Sequence, residues 1–262
     1  MEKAVFVSKI KDLKYLTGEH KRIYFGNEFC QNLIPDIRDL MYVLDVASNK
    51  RMGFTLVTPF VTNEGMGKLR SLLDCLLDKQ PESEVVINDW GLLHWLSEKY
   101  PNVKLALGRL LTKQKRGPRI LNLIGRVPVN MIQHFSQSNV DTPALSDFLI
   151  SKGIKRVELD NLLQGIIRNN PLIKGSLYIP FAYVTTTRFC LMNDYKERSR
   201  RPRAVFPCRK ECQDYLLKLR HKKIPVELFL KGNTQFFKNE TLPDNLKQLN
   251  IDRLVYQPQI PL

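Results

Sequence analysis

The stretch RIYFGNEFCQNLIPDIRDLMYVLDVASNKRMGFTLV (22–57) decides the fold. RIYF (22–25) is an apolar run of strand length. From Pro35 to Ala47, Ile37, Leu40, Met41 and Leu44 recur at helical spacing. GFTLV (53–57) is a second strand-like run. Strand, helix and strand in this order make a βαβ unit, which calls for a parallel sheet. The same alternation continues outward through the strand-like runs EVVIN (84–88), VKLAL (103–107), RVELD (156–160), SLYIPFAYV (176–184), VELFL (226–230) and RLVY (253–256). Helical patterns cover Gly67–Lys79, Trp90–Tyr100, Thr142–Gly153 and Cys212–Lys222. Eight strand-like runs predict a single α/β domain over residues 1–262, a (β/α)8, TIM-barrel-like fold. The stretch 108–141, with its basic loop KQKRGPR (113–119), fits no single βα unit and makes the barrel irregular. A doubly wound open sheet is the alternative, but no GxGxxG follows the first strand.

Hydrophobic residues make up 43% of the 262 residues, enough for a sizeable core. The start, MEKAVFVSKIKDLKYLTGEH, is interrupted by charge and offers no apolar leader segment. No window approaches 18 consecutive apolar residues, so no membrane span is expected, and a cytoplasmic location is the default. Lys and Arg exceed Asp and Glu by 41 to 26, a net charge of +15. Such an excess attracts polyanions, RNA among them, although a basic surface is also the ordinary state of many proteins.

Five cysteines are an odd number for a disulfide framework. Cys75 lies on a leucine-rich helical face and reads as a core thiol. The other four, Cys30, Cys190, Cys208 and Cys212, read as one site. Cys30 follows the first strand-like run. Cys190, Cys208 and Cys212 share a loop at about 185–212, rich in charge and proline, where burial of an inert thiol has little reason. Beyond the carboxyl ends of parallel strands these positions can converge. Four thiolates bind a [4Fe–4S] cluster or, as the alternative, Zn. The spacing (C-x3-C, with 17 residues between Cys190 and Cys208) leaves both open. The basic run KERSRRPR (196–203) would set positive potential beside thiolates.

YFGNEFC (24–30), NDWGLLHWL (88–96), RVELDNL (156–162) and the cysteine loop together resemble the collagenase-like peptidase superfamily, the peptidases of unknown mechanism. Within it the chain is similar to the branch holding the UbiU and UbiV proteins of oxygen-independent ubiquinone synthesis. The resemblance spans roughly residues 20–230, and its most specific part is the cysteine quartet. It implies a [4Fe–4S] cluster on Cys30, Cys190, Cys208 and Cys212. It also implies a role in oxygen-independent hydroxylation of a ubiquinone precursor or of RNA. Prephenate is the implied small-molecule oxygen donor, and a heterodimer with a related subunit is a further expectation.

Other candidates each carry a plain reading beside the functional one. Asp89 closes a strand and could line a pocket or cap a helix, with Trp90 packing beside it. Glu158 alternates with Val157 and Leu159, so it would point into the barrel as a reactive carboxylate or a paired ion. Arg188 precedes Cys190 and could clamp a carboxylate donor. Arg109 could do the same, with solvent exposure its simpler reading. The peptidase label has little sequence support: there is no GxSxG and no HExxH, and a cysteine-dependent peptidase would have to use Cys30. A zinc-stabilised RNA-binding protein without redox activity is the other reading.

Overall fold

Alternating inward and outward side chains close the sheet. In a computed structural model that describes residues 1–193 and 207–262, twelve strands form. They are β1 (Glu2–Val7), β2 (Arg22–Gly26), β3 (Gly53–Val57), β4 (Glu84–Ile87), β5 (Lys104–Leu107), β6 (Arg156–Asp160), β7 (Lys174–Ile179), β8 (Phe181–Thr186), β9 (Leu217–Leu219), β10 (Leu228–Lys231), β11 (Thr234–Lys238) and β12 (Ile251–Tyr256). Eight of them close into a parallel barrel in the order β1-β12-β7-β6-β5-β4-β3-β2. The TIM-barrel-like α/β class expected from the sequence is therefore the observed one. The basic run 196–203 lies outside the described residues.

Most barrel strands are buried on both faces, which is why they read as near-continuous apolar runs; β12 leaves Tyr256 exposed on its outer side. Val5, Ile23, Phe25, Leu56, Val85, Leu105, Val157 and Leu177 face outward into the main core. Their neighbours Ala4, Phe6, Tyr24, Val57, Val86, Ala106, Tyr178 and Val255 fill the barrel interior. The outer face is covered by α1 (Ile37–Asn49), α2 (Asn63–Lys79), α3 (Trp90–Lys99), α4 (Val129–Ser136) and α5 (Pro143–Ser151). Asp36 caps α1 by accepting from the Asp39 amide at 2.7 Å. The helical ring is incomplete, because β1 passes to β2 through one 3-10 turn (Ile10–Tyr15) and β6 reaches β7 without a helix.

Four readings are corrected. The N-terminal run AVFV is a barrel strand, β1, although charge on either side hid it. VELFL contributes β10 to a separate antiparallel sheet, ordered β8-β11-β10-β9, and not to the barrel. The helix expected over Cys212–Lys222 is absent: a 3-10 turn (Glu211–Gln213) leads into β9. Tyr215 and Leu216, which a packed helix here would turn toward the core, are 46% and 45% exposed. SLYIPFAYV is also two strands, β7 in the barrel and β8 in the small sheet, with a cis Ile179–Pro180 bond between them.

The barrel interior carries charge at both ends. Toward the N-terminal ends of the strands, Arg253 donates to Glu2 at 2.5 Å and to Glu84 and the Tyr24 hydroxyl at 2.6 Å. Arg22 donates to Glu2 at 2.9 Å. Glu158 does point into the barrel. Its Oε1 accepts from Tyr24 at 3.3 Å, and Oε2 has no hydrogen-bond partner among the described residues. Burial pushes its carboxyl up to about 8, with Arg253 opposing and Glu84 adding to the shift. A folded-state proton held up to about pH 8 against about 4.5 when unfolded stabilises the fold at low pH. That contribution is complete below about pH 4.5 and is lost as pH rises through about 8. In urea unfolding from about pH 5 to about pH 8, the stability of the wild type relative to Glu158→Gln should therefore fall by a few kcal/mol. A difference that stays flat over this range would mean that Glu158 is ionised in the fold.

Candidate metal centre

Cys30 is placed by the four residues before it. β2 ends at Gly26, with φ of 129°, where an added Cβ would lie 2.2 Å from the Val57 carbonyl oxygen. Only glycine takes that path. The Asn27 side chain then accepts from the backbone amides of Phe29 and Cys30 at 3.0 and 2.9 Å. This Asx turn sends Phe29 into the core and leaves Cys30 at the rim of the barrel mouth.

The other three thiols arrive from the excursion between β7 and β12. Cys190 follows β8 in a turn closed by the Asn193 amide on its carbonyl at 3.3 Å. Cys212 sits in the 3-10 turn that Lys210 opens at φ of 60°. The β10–β11 hairpin backs both. Its Gly232, at φ of 59°, lies so close that a Cβ would meet Cys212 Cβ at 3.3 Å. Asn233 beside it donates to the Phe29 carbonyl at 2.7 Å and to the Thr187 carbonyl at 2.6 Å. One amide side chain thus clasps the Cys30 segment to the Cys190 segment. Gly232 and Asn233 were not anticipated, but LFLKGNTQFF, two alternating runs about Gly-Asn, is a legible hairpin signal.

Cys30, Cys190, Cys208 and Cys212 line one cavity of about 230 Å³, together with Asn32, Arg188, Phe189, Lys210 and Asn233. All four are free thiols: Cys212 is buried, Cys30 and Cys190 half-buried, and Cys208 exposed. Cys75 lies elsewhere, against the Met41 sulfur on α1. Burial pushes the Cys30 thiol up to about 11 and raises Cys190 and Cys212 as well, and the neighbouring thiols add to each shift. Thiols so shifted keep their protons at neutral pH unless a metal replaces them. Cationic side chains stand ready for a thiolate set. Arg188 and Lys210 line the cavity, and Lys231 sits close enough to Cys212 for the two charges to interact. Burial pushes that amine down to about 8.

Four cysteine thiols lining one cavity are a donor set that suits either a [4Fe–4S] cluster or a single zinc ion.

The structure separates the remaining candidates. Arg188 lines the cavity, lies over the Phe60 ring at 5.4 Å and donates to the Val61 carbonyl at 3.4 Å. Asp89 does not line the cavity. It caps α3 through the Gly91 and Leu92 amides at 2.8 and 3.2 Å and holds the Val61 amide at 3.2 Å. Trp90 packs edge-on against Phe148. Glu158 is inside the barrel. Arg109 is neither solvent-exposed nor free. It is fully buried, ion-paired with Glu28 and Asp160, and stacked over the Tyr178 ring at 4.0 Å. Arg116 holds the second oxygen of Asp160 at 2.5 Å. Phe29, Leu110, Tyr183 and Phe236 seal this quartet. The axial mouth, where such barrels usually bind small molecules, is closed, and the cysteine cavity lies beside the plug.

No family model matches the sequence, and no curated protein matches it. Among solved structures, the chain is similar to the U32, or collagenase-like, peptidase Mk0906 at 12% identity. That alignment has a TM-score of 0.49 and covers 99% of this chain and 93% of the other. It is also similar, at 9% identity and TM-score 0.36, to a glycoside hydrolase family 18 N-acetylglucosaminidase from Paenibacillus barengoltzii. The coverage there is 97% of this chain and 94% of that one.

Proposed function

We propose that this chain is an iron–sulfur protein serving oxygen-independent hydroxylation, as the catalytic chain or as one subunit of a heterodimer. The observation that carries the reading is the convergence of four free cysteines, from three separated segments, on one cavity. Cys30, Cys190, Cys208 and Cys212 would hold a [4Fe–4S] cluster. Bound there, the cluster would supply one-electron redox chemistry. The protein's own part is electrostatic and steric. Arg188 and Lys210 offset thiolate charge at the cavity wall. Arg188 is also the group able to take the carboxylate of a small oxygen donor, of which prephenate is the type the sequence resemblance suggests. Cys208, the exposed member, marks the side from which a donor, a quinone precursor or an RNA would approach.

A peptidase working through Cys30 has less to support it. Its thiol is pushed up to about 11, and among the described residues no histidine lines the cavity to act as base. The zinc-stabilised RNA-binding reading draws on the net charge of +15. Anaerobic purification followed by an absorption spectrum and by iron, sulfide and zinc analysis separates the two metal readings. A brown protein with about four irons and four sulfides per chain is expected. A colourless protein with one zinc would overturn the iron–sulfur reading.

A further inference from the structure

Between Glu98 and Asp141 the chain carries no carboxylate, yet it holds eight Lys and Arg. Four of these are satisfied locally. Lys99 pairs with Asp74, Lys104 with Glu82, and Arg109 and Arg116 with the buried acids. The other four, Lys113, Lys115, Arg119 and Arg126, are exposed and have no ion pair among the described residues. They flank a ridge built from the 3-10 turn Pro118–Leu123, the following loop and α4. On it stand Leu123, Ile124, Val129 and Met131, all solvent-exposed, with Val129 72% and Ile124 50% exposed. Asn122 donates to the Lys223 carbonyl at 2.9 Å, which brings the exposed cations Lys222 and Lys223 to the same edge. Lys115 lies 5.8 Å from the Phe135 ring at the far end of α4.

Aliphatic tips inside an unneutralised basic rim are the makings of an interfacial lipid anchor. Single-stranded nucleic acid would ask for exposed aromatic platforms instead, and the exposed tips here are Leu, Ile, Val and Met. We propose that this ridge docks on an anionic bilayer surface. Leu123, Ile124, Val129 and Met131 enter the headgroup region, and the surrounding Lys and Arg meet lipid phosphates. The site is separate from the cysteine cavity and does not depend on what that cavity holds.

The test is co-sedimentation of the intact protein with vesicles of phosphatidylcholine, with or without phosphatidylglycerol. Binding to the phosphatidylglycerol vesicles is expected, weakening as salt is raised. Ile124→Glu with Val129→Glu should lower the affinity at least about tenfold. Arg119→Gln with Arg126→Gln should lower it about fivefold for each cation removed. Lys50→Gln with Lys79→Gln, an equal charge change on other exposed helix ends, should leave it unchanged. All substituted positions are exposed, and circular dichroism checks the fold of each variant. The proposal is overturned by an absence of binding to phosphatidylglycerol vesicles. It is equally overturned if the control pair weakens binding as much as the ridge pair, or if the glutamate pair has no effect. Binding of single-stranded RNA lost with Arg119 and Arg126, in a protein that ignores vesicles, would reassign the rim to nucleic acid.

Discussion

With the proposed [4Fe–4S] cluster as its premise, Cys208→Ala is expected to lose most of the bound iron while keeping its fold. Cys208 is exposed, so its truncation removes a ligand and almost no packing, and the circular dichroism spectrum should match the wild type. Removing one thiolate of four leaves one corner of a cubane without a protein ligand. Iron per chain should fall from about four toward none, or to about three if a three-iron species survives, and the visible absorption should fall with it. Cys30→Ala, Cys190→Ala and Cys212→Ala should behave alike. Cys75→Ala should retain full iron, because that thiol faces Met41 on the helical layer. Iron unchanged in Cys208→Ala, or lost equally in Cys75→Ala, would refute the ligand assignment.

The local pattern made the barrel legible, since each strand's alternation and each helix's periodicity are contained within a few residues. The misreadings have separate causes. Tyr215, Leu216 and Leu219 sit at helical spacing. Yet β9 forms because β10 offers it an edge, pairing Leu219 with Leu228. VELFL reads as a barrel strand because period-two alternation is the same in both kinds of sheet. β1 escaped notice because its apolar run is short and flanked by Glu2, Lys3, Lys9 and Lys11. The cysteine convergence was accessible because strand order predicts which loops share a mouth. The clasp by Asn233 needed the hairpin to be recognised first. Of the two readings given to Asp89, pocket lining and helix capping, the structure shows the cap on α3. Asn88 ties the Thr58 carbonyl to the Leu110 amide at 2.8 and 2.9 Å.

The plugged mouth gives this geometry its functional logic. The YFGNEFC segment spends each residue on a distinct task. Gly26 lets the chain leave the barrel, Asn27 makes the turn, Glu28 and Phe29 join the plug, and Cys30 reaches the cavity. The plug residues Glu28 and Phe29 and the cavity residue Cys30 are therefore consecutive in sequence. The cysteine cavity thus lies at the rim of the barrel and not on its axis, with the small antiparallel sheet supplying the opposite wall.

Arg109→Met tests that logic and should be among the most destabilising single changes in the protein. The guanidinium holds both Glu28 oxygens and one oxygen of Asp160, with all three side chains fully buried. Methionine is similar in length and fills the space between Tyr178 and Phe29, so little of the loss is a cavity term. The cost is electrostatic. Asp160 keeps Arg116 at 2.5 Å, but Glu28 loses its ion-pair partner. A buried carboxylate stripped of its cation costs about 3–5 kcal/mol, which urea unfolding at neutral pH would register as a large drop in midpoint. The sign of the pH dependence distinguishes this from a packing defect. Without Arg109, burial holds the Glu28 carboxyl above its ordinary range, so the folded variant binds a proton that the unfolded chain has released. The deficit should therefore shrink as pH falls toward the ordinary carboxylate range and be greatest above it. Adding Glu28→Gln to Arg109→Met should recover part of the loss, since a neutral amide is far cheaper to bury unpaired than an anion. A deficit below about 1 kcal/mol, or one independent of pH and unrelieved by Glu28→Gln, would show that the quartet does not hold the mouth together.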